Sequence, residues 1–209
     1  MAEVFYSEIF KKPSINRRSL SKLLKILPKN VYLAYSIQYK PLAEKIKPLL
    51  EKNGYQINGF QQVLGCSKIP KQDTILLIGE ERFHALNLVK FSDKVIVFDG
   101  AKFFEVSESD KKSAKDREKA KISKFLYSTD IGMLVSIKKQ SNLENAAKTI
   151  NLLSEKYPEK KFHLFLFDTL DYKELENFKI DFWVNLACPG IEYDNKNILN
   201  IESLSLNYL

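Results

Sequence analysis

Short apolar segments rich in β-branched and aromatic residues alternate with helical segments along this chain. This alternation restricts the possible folds more than any other feature. Four strand candidates precede residue 101 and three follow residue 130. Strand, helix, strand order of this kind is typical of parallel βαβ units. The strand candidates are residues 31–37, 55–60, 74–79, 94–99, 131–137, 162–167 and 181–188.

Helix candidates between these strands each have one apolar face. In residues 41–53 apolar side chains recur at helical spacing, and Gly54 stands where a helix would end. Residues 142–157 have the same pattern. A short helix is predicted after Asp171, whose carboxylate suits the N-cap position.

A charged segment, residues 107–124, interrupts the alternation before it starts again. Its mixture of lysine, aspartate and glutamate predicts a solvated connecting helix. The sequence therefore predicts an α/β fold with two small domains, residues 1–110 and 111–209. Each domain should be a mainly parallel sheet of about four strands flanked by helices.

Composition excludes several classes of protein. The formal net charge is +7, but the lysines are dispersed and no nucleic-acid-binding motif is present, so direct nucleic-acid binding is not expected. No apolar run approaches the length of a membrane span. The first twelve residues do not resemble a signal peptide, and the sequence predicts a cytoplasmic protein.

The chain has two cysteines, Cys66 and Cys188, in similar settings. Each follows an apolar run and precedes a proline within four residues. Ligands of open α/β sheets collect at the carboxyl ends of strands, which makes both cysteines candidates for a functional role. The alternative is that both are small buried hydrophobes, the commoner use of an isolated cysteine.

Five segments resemble the diphthamide synthase family. "YSIQY", "LLEKNGYQI" and "QVLGCS" are similar, in this order, to the middle domain of that family, and "ERFH" (81–84) resembles its G-R-F-H motif. "DFWVNLACP" resembles the A-W-V-Q-x-A-C-P segment of its last domain. The resemblance runs from about residue 17 to the C-terminus.

The resemblance implies a radical-type transferase reaction. In this family three α/β domains each give one cysteine to a [4Fe–4S] cluster, and S-adenosylmethionine binds the fourth iron. A 3-amino-3-carboxypropyl radical then adds to a histidine of translation elongation factor 2, the first step of diphthamide biosynthesis. Archaeal members form homodimers and eukaryotic members form heterodimers.

Residue by residue, the resemblance assigns Cys66 and Cys188 as metal ligands. It places Arg82, Phe83 and His84 near the cofactor pocket. Gln140, in the segment "KKQSN" (138–142), matches the family's G-R-Q-G-N loop and is the fourth cofactor-binding candidate. Expected partners are elongation factor 2 and either a full-length paralogous chain or a second copy of this chain. No catalytic side chain is assigned.

Three departures from the family pattern affect these expectations. The family's first domain, with its own cysteine, has no counterpart before the first strand. "KKQSN" lacks the family's glycine pair, and Glu80 and Glu81 replace an Asp-Gly pair. The chain is therefore interpreted as a shortened member of the family.

Several functions remain open at this point. A partner chain could supply the third ligand, or the chain could be a non-catalytic scaffold or docking partner of a full-length paralogue. It could also bind a different metal or none. A hypothesis from another class is a small-molecule-binding α/β module with structural cysteines.

Purely structural roles are the alternative for several other residues. His84 could be a hydrogen-bonded packing residue, and His163, which matches no motif, is expected to be structural. The aromatic segments 5–10 and 101–106 are candidates for a partner-binding surface. Their alternative is local packing.

Overall fold

The structure is a computed structural model that describes residues 9–12, 14–80, 82–138, 143–193 and 195–208. The chain divides into two compact units, Met1–Lys112 and Ser113–Leu209. The predicted boundary at residue 110 and this division both fall within one long helix, Glu108–Tyr127. The match of the units to the family's middle and last domains stays a prediction.

Unit 1 is a mainly parallel sheet flanked by helices. Its elements, in order, are α1 (Arg17–Ile26), β1 (Asn30–Tyr35), a 3₁₀ turn (Ile37–Tyr39), α2 (Lys40–Lys52), β2 (Gln56–Gln62), β3 (Thr74–Ile78), α3 (Arg82–Leu88), β4 (Lys94–Phe98) and β5 (Phe103–Glu105), after which α4 (Glu108–Tyr127) begins. Gly54 follows α2 with φ +75°, a left-handed conformation that glycine adopts without a steric cost and that ends the helix.

The sheet of unit 1 has the strand order β2-β1-β3-β4-β5. The first four strands are parallel, and β5 pairs antiparallel with β4. All five residues of β3 are buried, as expected for a central parallel strand covered on both faces. One face packs against α1 and α2, and the other packs against α3.

Unit 2 has the elements β6 (Asp130–Ser136), α5 (Leu143–Lys156), β7 (Lys161–Phe167), α6 (Tyr172–Leu175), β8 (Phe182–Asn185), a 3₁₀ turn (Pro189–Glu192), β9 (Ile198–Asn200) and α7 (Ile201–Tyr208). Its four parallel strands have the order β7-β6-β8-β9. Asp171 caps α6 as predicted, because its carboxylate accepts a hydrogen bond from the backbone N–H of Lys173.

The predicted fold class is confirmed by these two mainly parallel sheets flanked by helices. The prediction for residues 181–188 was wrong in length, because β8 ends at Asn185 and a 3₁₀ turn follows the cysteine. Strands β5 and β9 and helices α1 and α7 were not predicted. The two strands have three residues each, too few for a period-two pattern to stand out.

Local packing explains the aromatic segment at residues 101–106. Phe103 packs against one core cluster of unit 1, and Phe104 packs against the other. In the second candidate segment, residues 5–8 lie outside the described residues, and Ile9 is exposed. Within the described ranges, no helix is both long enough and apolar enough to cross a membrane.

Candidate functional site

The two sheets share one strand order. In each unit the chain runs from a central strand outward to an edge strand, and then crosses to the other side of the central strand. This reversal creates a switch point at the carboxyl edge, between β1 and β3 in unit 1 and between β6 and β8 in unit 2. Ligands of open α/β sheets bind at such points.

Cys66 lies at the carboxyl edge of unit 1, in the segment that joins β2 to β3. We call residues 63–68 the Cys66 loop. It contains a tight turn in which the Ser67 backbone N–H donates to the Leu64 carbonyl oxygen at 3.1 Å. The Leu64 N–H donates in return to the Ser67 hydroxyl at 2.8 Å. The turn leaves the thiol of Cys66 exposed and free of a disulfide.

The aromatic ring of Phe83 packs onto the Cys66 loop at Gly65. A Cβ atom on Gly65 would lie 2.6 Å from Cε1 of Phe83, closer than real Cβ contacts. Glycine is therefore needed for the ring to approach the backbone next to Cys66. The structure thus brings one residue of the "ERFH" segment to Gly65, the residue directly before the first cysteine.

Arg82 and His84 flank Phe83 at the start of α3. Nη2 of Arg82 is 2.9 Å from Oδ2 of Asp110. A hydrogen bond from the Ser107 hydroxyl and the charge of Arg82 hold the pKa of Asp110 below its ordinary value. His84 stacks edge to face on Phe83, with ring centroids 5.5 Å apart.

A cavity of about 660 Å³ lies at the carboxyl ends of β3 and β4. Glu80, Arg82, Asp99 and Lys102 are among its lining residues. Hydrogen bonds from Lys11 and then from the Tyr39 hydroxyl lower the pKa of Glu80. The cavity therefore has ionised groups of both signs beside the "ERFH" segment.

Cys188 lies at the carboxyl edge of unit 2, three residues beyond the end of β8. We call residues 186–192 the Cys188 loop. Cys188 has an extended backbone, φ −61° and ψ 126°, and precedes the 3₁₀ turn Pro189–Glu192. Its thiol is exposed and not in a disulfide. A Cβ atom added at Gly190 would lie 3.6 Å from the Cys188 sulfur, an ordinary contact distance.

The exposure of both thiols contradicts the alternative of two buried structural cysteines. Thiolates are the normal ligands of iron–sulfur clusters, so the donor chemistry fits such a group. Among the residues that the structure describes, no three His, Cys, Asp or Glu side chains form a complete metal site. A three-thiolate site would need one further cysteine from outside this sequence, which has two.

The other predicted residues lie elsewhere. Gln140 is outside the described residues, so the structure gives it no position. His163 is on edge strand β7, with Nε2 2.8 Å from Oδ1 of Asp130. A second cavity, of about 500 Å³, is lined by Asp181 and Asn197 among others and lies at the amino edge of unit 2, the edge opposite Cys188.

Comparison with known proteins identifies the family. The model of the diphthamide synthesis protein family matches residues 2–199, and the chain belongs to that family. It is 28% identical over 188 residues to 2-(3-amino-3-carboxypropyl)histidine synthase from Pyrococcus horikoshii. That match covers 82% of this chain and 54% of the synthase, so the chain spans about half the length of this relative.

Two solved structures have the same fold. One is the crystal structure of Dph2 from Pyrococcus horikoshii with a 4Fe-4S cluster, with a TM-score of 0.81 and 24% identity. The other is a crystal structure of Dph2 from the same organism, with a TM-score of 0.79 and 24% identity. Each match covers 94% of this chain and 63% of the Dph2 chain.

Gly65, Ser67 and Asn185 are among the residues that shape the cysteine loops and were not predicted from the sequence. Gly65 and Ser67 are the direct neighbours of Cys66. The sequence does not show that an aromatic ring packs on Gly65 or that the Ser67 hydroxyl closes a turn. Asn185 follows three strand residues and is itself buried. A polar residue at the end of a buried strand was the available signal.

Proposed function

We propose that this chain acts in diphthamide biosynthesis. Its part would be in the transfer of the 3-amino-3-carboxypropyl group of S-adenosylmethionine to a histidine of translation elongation factor 2. One observation carries the proposal. The two cysteines in the family-like segments are both exposed thiols at the carboxyl edges of parallel sheets in a chain of this family.

Cys66 and Cys188 are the proposed thiolate ligands of a [4Fe–4S] cluster. A third thiolate would come from outside this sequence, either from a longer form of the polypeptide or from a partner chain. When bound, such a cluster would supply the electron that breaks the bond between sulfur and Cγ of S-adenosylmethionine. Three protein ligands leave one iron available to that cofactor.

The residues around Cys66 suit a cofactor that has charged and apolar parts. Phe83 supplies an apolar surface against the Cys66 loop. Arg82 presents a guanidinium group that Asp110 holds in place at the edge of the cavity. Binding of S-adenosylmethionine by Arg82, Phe83, His84 and Gln140 is part of the proposal.

A second candidate function is that of a non-catalytic scaffold for a full-length family member. It is favoured by the hydrogen bonds of Glu80, a residue that replaces an aspartate of the family pattern. Its carboxylate is already bonded by Lys11 and Tyr39. In either case the proposed partners are elongation factor 2 and a paralogous chain or second copy, and the proposed site of action is the cytoplasm.

Anaerobic reconstitution with iron and sulfide tests the proposal. The chain would be reconstituted alone and together with a full-length family member that keeps the cluster cysteine of its first domain and has its other two cluster cysteines replaced by serine. Bound iron, sulfide and visible absorbance would be measured for wild type, Cys66→Ser, Cys188→Ser and the exposed loop control Lys68→Ala. We expect iron binding in the mixture by wild type and Lys68→Ala, and its loss in both cysteine variants.

Two results would overturn the ligand assignment. One is an absence of iron in every arm, and the other is iron binding that persists unchanged in both cysteine variants. An elongation factor assay on the mixture with an unmutated family member separates the scaffold role. A rise in transfer activity that the cysteine variants retain would support the scaffold and contradict the ligand role.

A further inference from the structure

The last residue of β8, Asn185, is a buried amide directly before the Cys188 loop. Asn185 is 1% exposed, although strand ends in open sheets commonly reach solvent. A buried amide is unfavourable unless its donors and acceptor are satisfied, so its partners show what it does. All of its described partners lie in the Cys188 loop or at the end of the neighbouring strand.

The Asn185 side chain binds the backbone N–H of Ala187 and the backbone carbonyl oxygen of Cys188. Its Oδ1 accepts from the Ala187 N–H at 3.0 Å. Its Nδ2 donates to the Cys188 carbonyl oxygen at 2.9 Å and to Oδ1 of Asn200 at 2.6 Å. The amide therefore closes a loop around the residue that bears the thiol.

Asn200 extends this arrangement from the paired position at the end of β9. Asn185 and Asn200 are register partners in the parallel ladder. Nδ2 of Asn200 donates to the Pro189 carbonyl oxygen at 3.1 Å, and its backbone N–H donates to Oε2 of Glu192 at 3.0 Å. Two neighbouring strands thus end in asparagines that together hold three consecutive residues, 187 to 189.

A charge pair anchors the far end of the loop. Nζ of Lys121, on α4, lies 3.1 Å from both the Glu192 carboxylate and the Glu192 carbonyl oxygen. Both side chains are largely buried, 12% and 17% exposed. The loop is consequently fixed at its start by Asn185, in its middle by Asn200 and at its end by Lys121.

We infer that Asn185 and Asn200 are positioning residues that hold the Cys188 thiol in a fixed, exposed orientation at the carboxyl edge. Because hydrogen bonds within the chain hold the loop backbone, a metal centre that used this thiol would not have to order it. The use of Cys188 as a ligand rests on the proposed function. The positioning itself is a property of the chain and can be measured without iron.

A nitroxide spin label on Cys188, in a Cys66→Ser background, measures this positioning directly. Asn185→Leu has a similar volume but no hydrogen-bonding atoms. We expect it to increase the mobile fraction of the label several-fold, and to speed amide exchange at Ala187 at least tenfold. The matched control is Asn197→Leu, in the same unit, because the Asn197 side chain accepts from Lys124 and is not bonded to the Cys188 loop.

A second label distinguishes positioning from general loosening of the fold. Placed on Cys66 in a Cys188→Ser background, it should be unaffected by Asn185→Leu, and amide exchange in β6 should also be unchanged. If Asn185→Leu does not fold, Asn200→Leu gives the same test, since it removes the bond to Pro189 and one bond to Asn185. Unchanged mobility at Cys188, or equal loosening at Cys188 and in β6, would overturn the inference.

Iron retention separates this inference from the proposed function. If both are correct, a reconstituted Asn185→Leu complex should lose iron to a chelator several-fold faster than wild type and Asn197→Leu. If Cys188 is not a ligand, the chelator rates will be equal, but the spin-label result will still hold. If the positioning is wrong, the spin label will not respond, whatever the iron analysis shows.

Discussion

The Cys66 loop and the Cys188 loop both present an exposed thiol at the carboxyl edge of a parallel sheet, but they do so from different strands. The parallel strands of the two sheets have the same order, β2-β1-β3-β4 in unit 1 and β7-β6-β8-β9 in unit 2. Cys66 follows the edge strand β2, whereas Cys188 follows β8, which corresponds to β3. Similar letters around two cysteines therefore do not indicate equivalent positions.

The strand that corresponds to β8 in unit 1 leads to the "ERFH" segment instead of a cysteine. Phe83 of this segment reaches across to Gly65 in the Cys66 loop. Unit 1 thus uses an aromatic contact and a short turn to support its thiol. Unit 2 uses the amides of one buried and one half-buried asparagine and a charge pair. The first support combines an apolar contact from α3 with an exposed turn, and the second is polar and spans three elements.

The difference has an energetic consequence that can be tested. Polar groups withdrawn from water are costly when they lose a partner, while an exposed turn can lose a hydrogen bond to protein and regain one to water. We therefore expect the Cys188 loop to be more sensitive to single substitutions than the Cys66 loop.

The largest effect is expected from Lys121→Met. It leaves the Glu192 carboxylate largely buried without its cationic partner, and breaking such a pair from one side is strongly unfavourable. We expect unit 2 to lose about 2 kcal/mol of unfolding free energy, less than a fully buried pair would lose because both groups keep some exposure. Urea unfolding followed by fluorescence of Trp183, the single tryptophan, measures this loss.

Two other substitutions serve as controls for Lys121→Met. Glu192→Gln leaves no unpaired carboxylate, its single amide oxygen can accept from one of the two donors, and Lys121 keeps the Glu192 carbonyl oxygen. Its effect should therefore be smaller than that of Lys121→Met. Lys68→Met, at an exposed site in the Cys66 loop, should change stability by less than about 0.5 kcal/mol. Equal effects of Lys121→Met and Lys68→Met would remove the proposed difference between the loops.

Gly65→Ala should have the next largest effect. The added Cβ would lie 2.6 Å from the Phe83 ring, so the ring must move away from the Cys66 loop. We expect a loss of about 1 to 2 kcal/mol in unit 1, measured by amide exchange of its strands. The matched control is Gly190→Ala beside Cys188, where the new Cβ would be 3.6 Å from the sulfur, an ordinary contact.

A double substitution tests the cause of this loss. If the clash with Phe83 is responsible, Gly65→Ala should cost much less in a Phe83→Ala background, because no ring remains to be displaced. An equal cost in both backgrounds would show that the alanine strains the turn itself. A large effect of Gly190→Ala would contradict the view that the Cys188 loop depends on its polar contacts.

Ser67→Ala should have a smaller effect on the Cys66 loop. It removes the hydroxyl that accepts from the Leu64 N–H, a bond in an exposed turn. We expect a loss of about 0.5 to 1 kcal/mol and greater mobility of a spin label on Cys66. Ser67→Thr keeps the hydroxyl and should restore both values. Failure of threonine to restore them would contradict the role of the turn.

The sequence predicted the fold from features that depend on local order. Apolar strands, amphipathic helices and Gly54 identified parallel α/β units, and the short motifs around Cys66 and Cys188 identified the family. It failed where tertiary contacts decide the outcome. The end of β8 is an example, because the apolar letters continue to Leu186 and Ala187 while the Asn185 amide turns the backbone.

The supports of the cysteines were also beyond the sequence, for a related reason. Asn185 and Asn200 are fifteen residues apart, and only the parallel register of β8 and β9 pairs them. Phe83 is similarly remote from Gly65 along the chain. Contacts of this kind follow from strand order, and strand order in turn depends on connections that no local pattern encodes.

The smallest expected effect concerns acid stability. Each unit has a carboxylate whose pKa lies below its ordinary value. Backbone N–H groups of Asp130 and Thr129 lower the pKa of Asp181 in unit 2. Side-chain hydrogen bonds from Lys11 and then Tyr39 lower that of Glu80 in unit 1.

The sign of the pH dependence follows from these lowered values. A carboxylate with a lower pKa in the folded state stabilises the fold above its ordinary pKa, and this contribution is lost as pH falls through the folded-state value. Asp181→Asn keeps an oxygen that can accept both N–H groups but does not titrate. Between about pH 5 and about pH 3, unit 2 of this variant should therefore lose less stability than wild type.

Glu80→Gln is the corresponding change in unit 1, and amide exchange of each unit against pH measures both. The bonds to Asp181 come from ordered backbone, while one bond to Glu80 comes from a flexible and half-exposed lysine. The entropy cost of ordering that lysine offsets part of the stabilisation that its bond to Glu80 provides. Glu80→Gln should therefore reduce the loss of stability at low pH by less than Asp181→Asn does. A larger flattening in unit 1 would show that side-chain partners fix its carboxyl edge as firmly as backbone fixes Asp181.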